Sequence, residues 1–236
     1  MHADALSCGP LGEICCLPIA GQKTGLIGYL LFSHRKGEAV AVDPPAGETE
    51  LILALTAEHG VRLTQVLRTH VHEPDMDEPA MLCERSGARL AVGRGVAKAE
   101  CDFRAVAAVG AGSVLRWGVQ CMHVLDTPGH TSACVSYLWR DRLFCGDVFD
   151  LGGQGGVERA AEPARLFDSL RRCLFSLPEQ TLVYPAHPIK GRRVALLGEL
   201  RQRYAPILAA GRETFITERS DIGLRASFVR LPYGAG

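Results

Sequence analysis

The chain has 236 residues, and 26 Lys and Arg stand against 26 Asp and Glu, so it carries no basic field with which to hold nucleic acid or anionic lipid. A hydrophobic share of 47% supports a sizeable core, yet no apolar run approaches the roughly 18–20 residues needed to span a bilayer, and a soluble protein is expected. Nine cysteines, an odd number with no C-x-x-C pair, argue for reduced thiols in a cytoplasmic setting. The opening stretch has Asp4 and no basic segment ahead of its short apolar patches, so it does not read as a secretory signal.

Along the chain, "GLIGYLLF" (25–32) and "EAVAVDPP" (38–45) are apolar runs bounded by turn-formers and read as paired strands. "ETELILALTAEHG" follows, with Leu51, Ile52 and Leu55 at helical spacing and Gly60 as a stop. "TQVLRTH" reads as a strand, "EPAMLCERSGA" as a helix and "RLAV" as a strand, an alternation that suggests helices packed outside sheets. "SVLRWG", "VQCMHVLDT", "ACVSYLW" and "RLFCGDV" are short strands separated by Gly, Asp or Pro, an antiparallel meander. "GGQGG" (152–156) reads as a loop; it lacks the Lys-Ser/Thr of a phosphate loop. "PARLFDSLRRCLFSL" puts Leu166, Leu170, Leu174 and Leu177 on one helical face, and "TLVYPAH" is a further strand. "LLGELRQRYAPILAAG" reads as a helix, and the mixed tail after it as an extended segment.

The polar residues with metal-binding chemistry fall at strand ends. "HVH" (His70 and His72) closes one strand, "DTPGH" (His130) another, "FCGD" (Asp147) a third and "VYPAH" (His187) a fourth. Side chains at strand ends can converge on one rim, and residues two apart on an extended chain point the same way. His59, before a helix-ending glycine, and His123, on an alternating strand, stay outside this set. Cys134 and Cys145 lie near the same loops and read as small buried hydrophobes.

In that order, H-x-H, T-P-G-H-T, G-D and Y-P-A-H resemble the metallo-β-lactamase superfamily, over roughly residues 12–195. "VDPPAGE", "LDTPGHTSACVSYLWRDRLFCGD", "ARLFDSLRR" and "LVYPAHPIKGR" are most similar to its persulfide dioxygenase and glyoxalase II branch. The resemblance implies an α/β fold, the αββα four-layer sandwich, with metal held by loops at one edge of two sheets. A single domain over residues 1–236 is expected, with a helical or extended appendage from about residue 196.

Two-metal members of the superfamily carry H-x-H-x-D-H, where the Asp and last His serve the second metal. Pro74 and Asp75 stand in those places here. Proline has no ligand atom, lacks the backbone N–H and fixes φ, so the second site reads as broken. His70, His130 and Asp147 remain. Two histidines and a carboxylate with open positions suit non-haem Fe(II) and oxygen chemistry, and the persulfide dioxygenases resembled use the matching positions on one iron. The resemblance therefore implies one Fe(II) per chain, with His72 and His187 donating hydrogen bonds beside it and Asp75 orienting one of them. Zinc on three histidines and Asp147 is the alternative, nearly closed and poorly catalytic.

The persulfide dioxygenases resembled carry G-C-G-R-T-D-F after the metal Asp, whereas this chain reads "GQGGVER" (153–159), with Gly156 in place of the Arg. Arginine is a natural fork for carboxylates, so a sulfur compound other than glutathione persulfide comes into view. Lys190, Arg192 and Arg193 are candidate anchors for an anionic tail. The expected activity is oxidation of a persulfide, thiol or thioacid by dioxygen. A glyoxalase II-like thioester hydrolase is the alternative, and a non-catalytic binding protein on the same fold a third reading. The partners expected are the small sulfur substrate and dioxygen, without nucleic acid or membrane, and any assembly is expected to be a homodimer.

Overall fold

The computed structural model describes residues 14–22, 24–34, 37–71, 77–96, 106–149 and 162–229, with side chains of the last helix as far as Ser220. Two six-stranded sheets follow the order of the chain. The first is β1 (Ile14–Ala20), β2 (Ile27–Ser33), β3 (Glu38–Val42), β4 (Arg62–Leu67), β5 (Arg89–Gly93) and β6 (Val106–Val109). The second is β7 (Val114–Trp117), β8 (Gln120–Asp126), β9 (Val135–Trp139), β10 (Arg142–Gly146), β11 (Leu182–Pro185) and β12 (Ala195–Leu196). Strands β3 to β6 pair in parallel, as do β10 and β11, and the remaining pairs are antiparallel.

Side-chain alternation along each strand explains the layering. In β2, Tyr29 and Leu31 face the second sheet and meet Met122, Tyr137 and Phe144, while Leu30 and Phe32 face the other way. On that outer side they pack with Ile52 of α1 (Thr49–Glu58) and Leu82 and Cys83 of α2 (Asp77–Ser86). Strands buried on both faces need apolar residues throughout, which is why β2 is one continuous apolar run. Each large apolar side chain buried there is worth about 1.5–3 kcal/mol. In the second sheet, Phe144 faces inward, and Leu143, Cys145 and Val183 face outward onto the helices that follow. Helices, sheet, sheet and helices make the αββα sandwich.

Three details differ from the sequence expectations. Leu51 is exposed, and the buried face of α1 is Thr49, Ile52 and Thr56. The single helix expected over 163–177 is α3 (Pro163–Asp168), then a π-helical turn (Ser169–Cys173) and a 3₁₀ turn (Leu174–Ser176); the widened turn still keeps Leu166, Leu170 and Leu174 buried. The tail expected as extended is helical: after α4 (Leu197–Ala209), Gly211 turns at φ 97° into α5 (Arg212–Val229). Phe215 drives that outcome, since it is fully buried against Phe167, with ring centroids 5.4 Å apart. Among the described residues no helix is long and apolar enough to cross a membrane.

Candidate metal centre

His70 lies just past β4, His130 past β8, Asp147 directly after β10 and His187 just past β11. Hydrogen bonds stitch these strand ends together: Thr69 O accepts from Val135 N at 2.8 Å, Gly146 O from Ala186 N at 3.0 Å, and Ala186 O from Ile27 N at 2.7 Å. One ligand atom each from His70, His130 and Asp147 lies within 4.8 Å of the others, and all three residues are buried. The two imidazoles meet at 70°, with ring centroids 5.0 Å apart.

The loop before His70 is built to hold it. Asp43, just past β3, sits at φ 45°, a left-handed conformation that Asp tolerates better than most residues. Its Oδ1 accepts from Thr69 N at 2.8 Å, and its Oδ2 lies 2.7 Å from Thr69 Oγ1. A carboxylate can only accept, so the Thr69 hydroxyl donates to it, and the same oxygen then accepts from Nδ1 of His70 at 2.8 Å. The Nε2 of His70 is thereby turned toward Oδ2 of Asp147, 3.3 Å away. Two lone pairs facing at that distance need a cation between them, and a proton or a metal ion fills the need.

Burial by itself would raise the Asp147 carboxyl, but the imidazoles of His187 and His70 outweigh it and hold the group well below the usual carboxylate range. Nδ1 of His187 lies 2.8 Å from Asp147 Oδ1. Gly146 makes the approach possible: at φ 57°, a Cβ there would fall 2.3 Å from Thr69 Oγ1 and 2.9 Å from His70 Nδ1. Behind His130, Ser169 of the π turn donates to Pro128 O at 2.7 Å and fixes the Thr127–His130 loop. A donor set of two imidazoles and a carboxylate, buried and with a built support, fits a transition-metal ion.

The residues expected at the site divide as follows. His70, His130 and Asp147 come together, and His187 joins them through Asp147. His72 and Asp75 lie outside the described residues, as do Pro74 and the 153–159 segment. Lys190, Arg192 and Arg193 are exposed on the turn after His187, where Arg192 pairs with Glu199. His59 stacks on Phe32 at 4.4 Å, and His123 is exposed. Cys134 is a buried thiol pushed up to about 11 by that burial, against hydrogen bonds from Thr131, and burial carries Cys145 up as well. Asp43 and Thr69 were not singled out by sequence reasoning. An Asp closing a buried strand and a Thr directly before H-x-H were the available signals.

No protein-family profile matches the chain. It is 33% identical to a hydroxyacylglutathione hydrolase of a Polaromonas species over 166 residues, 67% of this chain and 60% of that relative's length. It is 29% identical to the mitochondrial persulfide dioxygenase ETHE1 of Mus musculus over 202 residues, covering 83% of this chain and 76% of that one. The crystal structure of ETHE1 from Myxococcus xanthus superposes with a TM-score of 0.75 at 32% identity, covering 93% of this chain and 92% of that one. Identity at that level through nearly the whole of both chains carries more than a shared architecture: this chain belongs to the metallo-β-lactamase superfamily.

Proposed function

We propose that the chain is a mononuclear non-haem iron sulfur oxygenase, acting with dioxygen on a persulfide, thiol or thioacid. The observation that carries the reading is the buried His70, His130 and Asp147 cluster in a chain that has Pro74 and Asp75 where two-metal relatives have Asp and His. Likeness to persulfide dioxygenases over most of the chain supports it. Bound iron would let a sulfur anion and dioxygen meet at its open positions. The protein's part is to hold that geometry. The Asp43–Thr69 pair fixes the face His70 presents, and His187 keeps one oxygen of Asp147 engaged so that the other points at the cluster. His72 and Asp75 are proposed to act beside the metal, and Lys190 and Arg193 to draw an anionic tail toward the rim. Arg192 would leave an exposed pair with Glu199 to join them, at small cost. Unpaired cysteines suit a cytoplasmic setting.

The second reading, thioester hydrolysis of the hydroxyacylglutathione hydrolase kind, has support in the 33% identity to such an enzyme. Against it stand Pro74 and Asp75, since an attacking water is held between two metals at those places. One experiment separates the two. Iron-loaded protein is given a low-molecular-weight persulfide or thioacid and oxygen consumption is followed; uptake abolished by chelation is expected. Rapid anaerobic hydrolysis of a glutathione thioester, with no uptake, would select the hydrolase.

A further inference from the structure

We propose that the cavity beside Arg68 binds the α-amino carboxylate end of the sulfur compound, its carboxylate on Arg68 and its ammonium facing Asp77 and Glu78. Arg68 is only 6% exposed, and its Nε has no hydrogen-bond partner. Its Nη1 makes one long contact, 3.4 Å, with the carbonyl of Pro44. No carboxylate among the described residues pairs with it. The fold's use of this residue is through the backbone, whose N–H donates to Ala91 O at 2.9 Å and whose carbonyl accepts from Tyr137 Oη at 2.9 Å. A guanidinium taken out of water without a counter-ion is strongly disfavoured. That penalty is relieved if an anion arrives, and a planar fork suits a carboxylate.

The space for it is present. A cavity of about 220 Å³ is lined by Arg68, Leu26, Pro44, Asp77 and Glu78, among others. The two acids open α2, where the helix dipole alone would account for them. What the dipole does not account for is the buried arginine on the same cavity with which they form no ion pair. Residues of opposite charge thus line one space without pairing across it, which is the charge pattern of a zwitterion site. None of the cluster residues lines the cavity, but two of its lining residues lie close to the cluster along the chain. Arg68 is followed by Thr69 and His70, so its Cα lies at most about 7 Å from that of His70. Leu26 precedes Ile27, whose N–H bonds Ala186 O beside His187.

Which sulfur compound is meant rests on the oxygenase reading, but the binding does not, so it is measured on metal-free protein with ligands that cannot react. Calorimetry compares S-methylcysteine and S-methylglutathione, which carry the α-amino carboxylate, with 2-(methylthio)ethylamine and N-acetyl-S-methylcysteine, which lack the carboxylate and the ammonium. At least one of the first two is expected to bind, the tighter identifying the carrier, and the truncated compounds to bind about ten- to a hundredfold more weakly. Arg68→Met should lose affinity on the same scale while its Tm stays level or rises, because an unpaired buried charge has been removed. Arg68→Lys, with charge but no fork, should keep part of the affinity. Asp77→Asn with Glu78→Gln should weaken the ammonium-bearing ligands and leave the N-acetyl compound unchanged. Equal binding of all four compounds, binding of none, or an Arg68→Met variant that melts earlier yet binds as before would overturn the proposal. Binding as expected without any oxygen uptake would count against the oxygenase reading alone.

Discussion

Nδ1 of His187 lies 2.8 Å from Oδ1 of Asp147, while the other oxygen of that carboxylate faces His70 Nε2 at 3.3 Å. The carboxylate is therefore shared between a histidine that orients it and a histidine that stands with it around the cluster. His187→Ala should retain metal with affinity lowered about 10–100-fold, the usual effect of losing an outer hydrogen bond to a ligand. His70→Ala, His130→Ala and Asp147→Ala should each lose it. Metal content after dialysis against a weak chelator checks this, and equal loss in all four variants would make His187 a ligand.

Thr69 couples Asp43 to His70, so Thr69→Val should act on stability and on the metal at once. The buried Asp43 loses its hydroxyl donor, at about 1–3 kcal/mol, and His70 loses the acceptor that sets its tautomer. Thr69→Ser should restore both. Urea denaturation and metal titration on the two variants are the measurements, and a Val variant with unchanged metal affinity would remove Thr69 from the support.

Gly146→Ala places a methyl against a hydroxyl that cannot swing away, because Thr69 Oγ1 is held by both Asp43 and His70. Strain at φ 57° adds to the clash. The variant is expected to fold with lower stability and with metal affinity reduced more than by His187→Ala. Normal metal uptake would show that the loop has slack.

The thiols predict alkaline sensitivity. Burial is the leading cause that pushes Cys16 and Cys134 to about 11 and Cys83 to about 12, from an ordinary 9.0. Above about pH 9 the unfolded chain ionises these groups and the folded chain does not. The stability they confer is thus intact below that pH and is lost as pH rises toward 11, by about tenfold in the folded-to-unfolded ratio per thiol per pH unit. Thermal melts across this range should show the decline, and Cys134→Ser should make it shallower.

Pro74→Asp with Asp75→His restores the side chains that two-metal relatives carry. In excess zinc the double variant should take up a second equivalent that the parent cannot hold, more weakly than a natural two-metal enzyme because the added ligands lack outer hydrogen bonds. Zinc calorimetry on parent and variant decides it. A parent that binds two equivalents tightly would deprive the mononuclear reading of its main support.

Much of the fold was legible because strands buried on both faces must be apolar throughout, as in β2 and β3. What escaped were elements whose cause is tertiary. β1 contains Pro18 and Cys15–Cys16 and reads as an interrupted patch, yet Pro is tolerated there because β1 is an edge strand. β6, Val-Ala-Ala-Val, is another edge, too short and too exposed to announce itself. α5 depends on one aromatic, Phe215, whose partner Phe167 is far away in sequence. At the site, histidines at strand ends were legible by chemistry and position. The Asp43–Thr69 support and the burial of Arg68 were not, since an arginine closing a strand looks like a solvated terminus until the layers close around it.

The division of the chain into two consecutive sheets has a temporal consequence. Among the described residues, the first sheet brings His70 alone to the cluster, whereas His130, Asp147 and the supporting His187 arrive with the second. A chain emerging from the ribosome would therefore finish its first sheet with no more than a single described ligand in hand, and would stay indifferent to metal until the later half had docked. Capture of the ion then becomes a closing event of biosynthesis, and a nascent chain stalled before Asp147 should leave the factory empty-handed.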